Sequence, residues 1–379
     1  MSLPLSPPNI NWDRDLPGFT RPLEKILRDG TWANYTGECL ETLCSQLLKM
    51  TGLEPLLCSS GSIAVELALR AIPIQSGDEV ILAGYDYPGN FRCIEAVGGR
   101  AVVVDTRSQS WSIDMNLLED ACSAQTKALI VSHLHGELQD MLALKDFAQR
   151  RGLVLIEDAC QAMGGRIEGQ TLGTLGDLGI WSFGGSKLVT AGRGGVLFCR
   201  DPLMLQRAKV ASQRGNDAYA LSHLQAAMLL PQLTALPEWT NVRQQSASFF
   251  FNQLSRQAGF KFSPRSGPTT ADPLETKSNS STVAGYYKLG FFLEPHGERD
   301  AARRDMLINK ARELGAEIGD GFRSFALRSQ QRCRKVGDLS QASRAAKLTL
   351  LLHHRHLLGS REHLQDLADS LGRLVQSLE

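Results

Sequence analysis

A lysine stands within a run of small residues that is suited to chemistry. Lys187 follows Gly184, Gly185 and Ser186, and three more glycines stand at positions 192, 194 and 195. Glycine adopts backbone conformations that other residues avoid, so such a turn can direct a lysine inward. A lysine amine removed from water becomes a nucleophile able to form a Schiff base. Most lone lysines lie on the surface, but the glycine-rich surroundings favour a reactive Lys187.

An aspartate and an amide follow an apolar run. Asp158 comes just after Leu153–Ile156, and Gln161 stands three residues later. A carboxylate at the end of a buried strand needs a partner, and the protonated ring nitrogen of pyridoxal phosphate (PLP) is one, which makes that ring an electron sink. Both side chains would face one site if the chain turns helical here. An aspartate that only caps the next helix explains the motif about equally well.

Two further segments could bind parts of such a cofactor. Ser60, Gly61 and Ser62 stand directly before an apolar helical stretch, where free N–H groups and the helix dipole favour a phosphate. An ordinary serine N-cap is the simpler interpretation of that segment alone. Tyr87 follows another apolar run, and an aromatic ring there could stack on a flat heterocycle or merely cover the end of the sheet.

The elements that must position these residues alternate along the first two thirds of the chain. Short apolar runs predict strands at 80–82, 101–104, 128–131, 153–156, 178–183 and 195–199. Helices are predicted between the earlier strands, at 63–71, 90–97, 115–122 and 140–151. Apolar strands separated by helices predict an α/β fold with a parallel sheet covered on both faces. Ligands bind such sheets at the carboxyl ends of the strands, where the four segments fall.

The last third predicts a smaller α+β unit. A helix over 222–236 precedes Pro237, and we place the domain boundary there, giving domains 1–236 and 237–379. A polar stretch over 262–282 predicts a loop. A strand at 285–292 and helices at 302–314 and 361–378 complete this unit.

Composition excludes several classes of protein. The 379 residues include 41 Lys and Arg against 40 Asp and Glu, a balance that gives no reason to expect nucleic acid as a partner. The basic cluster at positions 328, 332, 334 and 335 predicts a solvated loop. No run reaches the roughly 18 apolar residues of a membrane span, and the Pro-rich start is unlike a secretory signal. The eight cysteines lack metal-site spacing, so we expect no metal and a reducing cytoplasm.

Taken in order, these motifs resemble the DegT/DnrJ/EryC1/StrS family of sugar aminotransferases. The resemblance runs from about Leu16 to the C-terminus and is densest between Ser60 and Cys199. It rests on these segments: Ser60–Ala64, Gly77–Ile81, His133–Gly136 with Asp140 and Met141, Glu157–Ala162, Gly173, Gly176, Asp177, Ser182, Phe183, Lys187, Gly194 and Gly195.

The resemblance implies a fold and a set of roles. It implies PLP-dependent transferase fold type I, with a mainly parallel, seven-stranded type of sheet between helices. Lys187 and Asp158 would be catalytic, Lys187 as the Schiff-base lysine and Asp158 as the partner of the pyridine nitrogen. Gln161 would bind the phenolic oxygen. The phosphate would contact Ser182 and the Ser60–Ser62 segment, and Tyr87 would stack on the ring.

The resemblance also implies an activity. It predicts a homodimer that moves an amino group from Gln or Glu to a keto sugar or keto cyclitol. The stretch Lys187–Gly192 is most similar to the glutamine-using branch, which makes aminocyclitols and aminohydroxybenzoate.

Two alternatives remain. A dehydratase of the same fold is one, although similar dehydratases carry His in place of the lysine. A scaffold without turnover is the other, because Arg193 and Ala218–Ala220 depart from the family pattern.

Overall fold

The computed structural model describes residues 5–8, 16, 18–214, 216–264 and 281–378, with only the backbone of Arg214 and Asn216. Its centre is an eight-stranded, mostly parallel sheet, which confirms the predicted α/β class. The strands are, in chain order, β1 Glu54–Cys58, β2 Glu79–Ala83, β3 Arg100–Val104, β4 Thr126–Ser132, β5 Val154–Asp158, β6 Arg166–Ile167, β7 Gln170–Thr171, β8 Leu178–Ser182, β9 Gly195–Cys199, β10 Gln213–Arg214, β11 Asn216–Asp217, β12 Phe260–Lys261, β13 Lys288–Leu293, β14 Ile318–Asp320, β15 Cys333–Val336 and β16 Thr349–His353.

The helices cover the faces of this sheet and build the second unit. They are α1 Arg21–Arg28, α2 Glu38–Thr51, α3 Gly61–Ala71, α4 Pro88–Ala96, α5 Leu118–Ala121, α6 Met141–Arg151, α7 Pro202–Ser212, α8 His223–Leu254, α9 Asp300–Glu313, α10 Ser340–Leu348 and α11 Arg361–Gln376, with short 3-10 turns between some of them. Helix α3 is buried over most of its length, as its apolar sequence predicts. None of the helices in the described ranges is long and apolar enough to cross a lipid bilayer.

The order of strands in the central sheet is β1-β9-β8-β5-β4-β2-β3-β15. Only β9 runs against its neighbours β1 and β8, so the other strands all end at one edge. The prediction of seven strands was one short, because β15 comes from the C-terminal third and pairs in parallel with β3.

That added strand also corrects the prediction for the basic cluster. The residues form β15 and its approach rather than a solvated loop. Arg334 donates to Glu79 at 2.8–2.9 Å, Arg332 donates to Glu95, and the Lys335 amine donates to the Ala326 carbonyl. The charges therefore fix the edge strand to the sheet.

The helix predicted to end at Leu236 continues to Leu254, with Pro231 and Pro237 inside it. A proline lacks the N–H that an interior helical residue donates, which made a break there the natural prediction. Burial outweighs that loss, because apolar side chains are buried both before Pro237, as at Leu233, and after it, as at Phe250.

This helix joins the two apolar cores. Its first half packs into the core of the central sheet, and its second half packs into the core around the antiparallel sheet β12-β13-β16-β14. The division into 1–236 and 237–379 remains a prediction, with β15 as an exception to it. Most of the predicted loop over 262–282 lies outside the described residues.

Candidate active site

A cleft of about 290 Å³ opens at the edge where the parallel strands end. All eight residues singled out from the sequence line it, although they come from four separate segments. They are Ser60, Gly61, Ser62, Tyr87, Asp158, Gln161, Ser182 and Lys187. The structure adds lining residues that no sequence motif indicated, among them Asn90 and Tyr287.

The start of α3 forms a tight cradle beside β8. The Ser60 hydroxyl accepts a hydrogen bond from the Ile63 N–H at 3.1 Å and caps the helix. A Cβ atom at Gly61 would lie 2.8 Å from the Ser182 Cβ and 2.9 Å from the Cys160 sulfur. Glycine is therefore required here by space, and it leaves the first N–H groups of the helix open to a ligand. Such an end attracts anions.

Asp158 ends β5 and is held from two sides. Its Oδ1 accepts the Cys160 N–H at 3.0 Å, and its Oδ2 accepts the Asn90 amide at 2.9 Å. The carboxylate is only 5% exposed. The Asn90 amide also donates to the Ser132 hydroxyl at 3.1 Å. A buried carboxylate that faces the cleft with neutral partners is ready for a cationic ligand.

A second carboxyl group lies behind this pair. Asp86 is 1% exposed, and its Oδ1 accepts the Tyr87 N–H at 2.6 Å. The Asn90 amide stands 3.4 Å from the same oxygen, so it lies between Asp86 and Asp158. Burial, and next the nearby Asp158 carboxylate, raise the pKa of Asp86 to about 7.

Gln161 is oriented by the loop after β4. Its Oε1 accepts the His135 N–H at 3.3 Å. The amide NH2 is then the part of Gln161 available as a donor. His135 itself has φ of 60°, a rare conformation for a non-glycine residue, and its Nε2 shares a hydrogen bond of 3.0 Å with the Tyr85 hydroxyl. The His133–Gly136 segment contributed to the family resemblance, but the sequence did not indicate that it would orient Gln161.

Lys187 is half-buried and is the last residue of a tight turn. The backbone N–H of Lys187 closes this turn by donating to the Gly184 carbonyl at 2.9 Å. Its amine lies over the ring of Tyr287, 4.1 Å from the centroid. The Tyr287 hydroxyl shares a 2.7 Å hydrogen bond with Ser186. A tyrosine from the second unit thus fixes both the lysine turn and the lysine amine.

Tyr87 forms an outer wall of the cleft. It is 42% exposed, and its hydroxyl lies 3.4 Å from the Ser62 hydroxyl. Its ring packs against Phe322 with centroids 5.8 Å apart. The loop around Phe322 therefore bounds this side of the site.

A buried carboxylate anchors the floor of the site next to Asp158. Glu157 is fully buried and accepts from His133 Nε2 at 3.1 Å and from the Gly173 N–H at 2.7 Å. Its other oxygen accepts the N–H groups of Leu175 at 2.7 Å and Gly176 at 3.0 Å. The three bonds from backbone N–H groups hold the 173–176 loop against β5, and the His133 bond joins the loop after β4 to the same carboxylate.

One departure from the family pattern, Arg193, lies in the glycine-rich stretch that follows Lys187. Arg193 is exposed, and its carbonyl accepts from the Gln225 amide at 3.2 Å. Gln225 also forms a capping box with Ser222 at the start of α8. The side chains of Arg214 and Asn216, which precede the second departure at Ala218–Ala220, lie outside the described part of the chain.

Comparison with known proteins identifies the family. The model of the DegT/DnrJ/EryC1/StrS aminotransferase family matches residues 18–371. An L-glutamine:2-deoxy-scyllo-inosose aminotransferase of Streptomyces paromomycinus is 28% identical to this chain, over 96% of this chain and 94% of the relative.

Two solved structures share the fold. The crystal structure of 3-amino-5-hydroxybenzoic acid synthase superposes with a TM-score of 0.83 at 23% identity, over 99% of this chain and 100% of that chain. A GDP-4-keto-6-deoxy-D-mannose-3-dehydratase of E. coli with bound hydrated PLP superposes with a TM-score of 0.80 at 18% identity, over 98% and 99%. These matches confirm fold type I. Since the family model spans nearly the whole chain, this protein belongs to the DegT/DnrJ/EryC1/StrS aminotransferase family.

Proposed function

We propose that this protein is a PLP-dependent aminotransferase that moves an amino group from glutamine or glutamate to a keto cyclitol, keto sugar or related ketone. The observation that carries the proposal is the meeting of Lys187 and Asp158 in one cleft beside the helix cradle at Gly61. The relatives with similar sequences include glutamine:keto-cyclitol aminotransferases, which supports this donor and this class of acceptor. Such a reaction belongs to the synthesis of secondary metabolites or surface sugars.

The residues of the cleft fit PLP on the evidence of their own geometry. The space that a Cβ at Gly61 would fill lies at the N-terminus of α3, where Ser60, Ser62 and Ser182 can hold a phosphate. Asp158 offers a buried anion for the ring nitrogen. Gln161 offers an amide donor for the phenolic oxygen, and Tyr87 offers an aromatic face.

Each side chain then has a defined task. PLP, when bound, supplies an electron sink that stabilises negative charge at the α-carbon of the amino donor. The Lys187 amine would hold the cofactor covalently and, once released, would accept and return the proton at that carbon. The Asp158 carboxylate, whose position Asn90 and the Cys160 N–H fix, would keep the ring nitrogen protonated. The Tyr287 hydroxyl holds the lysine turn through Ser186.

Covalent attachment at Lys187 is the first test. The purified enzyme should show the visible absorption band of lysine-bound cofactor, and Lys187→Ala should abolish that band while Lys288→Ala, which removes the neighbouring amine, keeps it. Added glutamine should then convert the wild-type cofactor stoichiometrically to its amine form. A band that survives Lys187→Ala would refute the assignment of the lysine, and a dehydratase or a scaffold would not complete the glutamine half-reaction.

We also propose a homodimer in a reducing cytoplasm. Trp32 and Tyr35 near the N-terminus are 54% and 88% exposed, and Tyr87 in the cleft wall is 42% exposed. Large aromatic side chains left open to water favour coverage by a second subunit. The eight cysteines are all unpaired thiols, which suits a reducing compartment. Sedimentation at working concentration should give twice the mass of the chain, and a monomer would contradict the proposal.

A further inference from the structure

Two lysine amines lie over one tyrosine ring at the edge of the cleft. The Lys187 amine is 4.1 Å from the centroid of the Tyr287 ring, and the Lys288 amine is 5.6 Å from the same centroid. The two amines can therefore be no farther apart than the sum of these distances. Lys288 is the first residue of β13 and directly follows Tyr287. The tyrosine that contacts the Lys187 amine and the second lysine are therefore neighbours in the chain.

Lys288 has no anionic partner of its own in the part of the chain that the structure describes. It borders an open recess of about 420 Å³ together with Arg312, Glu317 and His353. Glu317, the one carboxylate among the side chains lining that recess, pairs with Arg355 and lies 3.4 Å from His353 Nδ1. The described lining of the recess thus carries a net positive charge, to which both Lys288 and Arg312 contribute.

The position of Lys288 relative to the cofactor residues is fixed by close packing. The Gly290 N–H donates to the His135 carbonyl at 2.8 Å. A Cβ at Gly290 would lie 2.6 Å from the His135 Cβ, so β13 can approach the loop that orients Gln161 only because residue 290 is glycine. After burial, the charge of Lys288 is the next largest cause that lowers the pKa of His135, ahead of Lys187. These observations place β13 against the loop that orients Gln161, and they place the Lys288 ammonium close enough to His135 for its charge to be felt there.

The described lining of the cleft holds little positive charge for a carboxylate. Among the described side chains that line it, Lys187 alone carries a permanent positive charge, and its amine is the reacting group. An amino-acid donor nevertheless brings a carboxylate within roughly 3 Å of the nitrogen that is transferred. A second cation near the Lys187 amine would balance that carboxylate.

We propose that Lys288 recognises the carboxylate of the amino donor, with its ammonium pairing to that group while the donor nitrogen occupies the place of the Lys187 amine. This inference rests on the proposed aminotransferase function and names the side chain that selects its donor. The flexible stem of lysine lets the ammonium follow the carboxylate, and the pair forms at the edge of a partly dry cleft, where charge-assisted hydrogen bonds are strong.

The test uses Lys288→Gln, which keeps the length and polarity of the side chain and removes the charge. Equilibrium binding of α-methyl-L-glutamate to the PLP enzyme is followed by the cofactor spectrum; this probe has no α-proton and so binds without turnover. Loss of one charge-assisted bond should raise its Kd about 10- to 100-fold. Lys288→Arg should recover much of that loss. Lys261→Gln, at an exposed lysine of β12 that pairs with Glu294, should leave the Kd unchanged.

Two further measurements test whether the carboxylate that Lys288 binds belongs to the amino donor. Wild-type enzyme should bind L-glutaminamide, which lacks the carboxylate, far more weakly than L-glutamine, and Lys288→Gln should bind the two alike. The amine form of the enzyme should react with 2-deoxy-scyllo-inosose, a neutral ketone, at the same KM in both proteins. The proposal would be overturned if Lys288→Gln raised the KM for that ketone as much as it raised the Kd for α-methyl-L-glutamate, or if that Kd did not change. Failure of the wild type to convert glutamine would instead refute the aminotransferase function.

Discussion

Replacing Glu157 by glutamine should destabilise the floor of the active site more than its conservative chemistry suggests. Each carboxylate oxygen accepts two hydrogen bonds, one from His133 Nε2 and the Gly173 N–H, the other from the Leu175 and Gly176 N–H groups. A glutamine side chain has an NH2 group in place of one carboxylate oxygen. Whichever way the amide is oriented, two of the four hydrogen-bond donors then face this NH2 group instead of an acceptor.

The histidine cannot compensate by changing its tautomer. His133 Nδ1 accepts the Gln139 N–H at 3.1 Å, so Nε2 must keep its proton and remain a donor. Two charge-assisted bonds at about 1.5–3 kcal/mol each give a loss of about 3–6 kcal/mol. For a chain of this length such a loss lowers Tm by about 4–8 °C.

Thermal unfolding of Glu157→Gln and of the wild type measures this loss. Glu119→Gln is the matched control, because Glu119 is exposed and pairs only with surface arginines among the described residues, an interaction worth under about 1 kcal/mol. Hydrogen exchange should also speed up at the amides of Gly173, Leu175 and Gly176. If Glu157→Gln melts within a degree of the control, the four-bond account of this loop is wrong.

Three other changes test the cleft from different sides. Asp86→Asn should alter the pH dependence of the stability of the apoprotein, because folded Asp86 keeps its proton to about pH 7 while the unfolded chain releases it near pH 3.8. The wild type should therefore lose stability relative to the variant as the pH rises through that window, and not above it. Parallel curves of Tm against pH for the two proteins would contradict this. Gly61→Ala should weaken PLP binding in a fluorescence titration, because its Cβ would meet Ser182 at 2.8 Å and such crowding costs about 1–3 kcal/mol; an unchanged Kd would exclude the start of α3 as the phosphate site. Tyr287→Phe removes the 2.7 Å bond to Ser186 and should slow the glutamine half-reaction about fivefold, as expected for about 1 kcal/mol, with a normal absorption band; an unchanged rate would show that the lysine turn needs no such support.

Much of the fold could be predicted because its signals are local. Apolar β-branched runs such as Ala101–Val104 and helix-forming stretches such as Met141–Arg151 carry their structure in neighbouring residues. The end of α8 could not be predicted that way, since Pro237 signals a break locally while distant apolar contacts keep the helix intact. Strand β15 was missed for a similar reason, because its basic residues are paired by Glu79 and Glu95, which are far away in sequence.

The sequence by itself determined the residues at the ends of the strands. Lys187, Asp158, Gln161 and the Ser60–Ser62 segment each follow an apolar run, and parallel strands bring such positions to one edge of a sheet. The tertiary structure alone decided what supports them. Asn90, His135, Tyr287 and Lys288 reach the site through contacts between distant segments. No local pattern encodes such contacts, because they join residues that are far apart in the sequence.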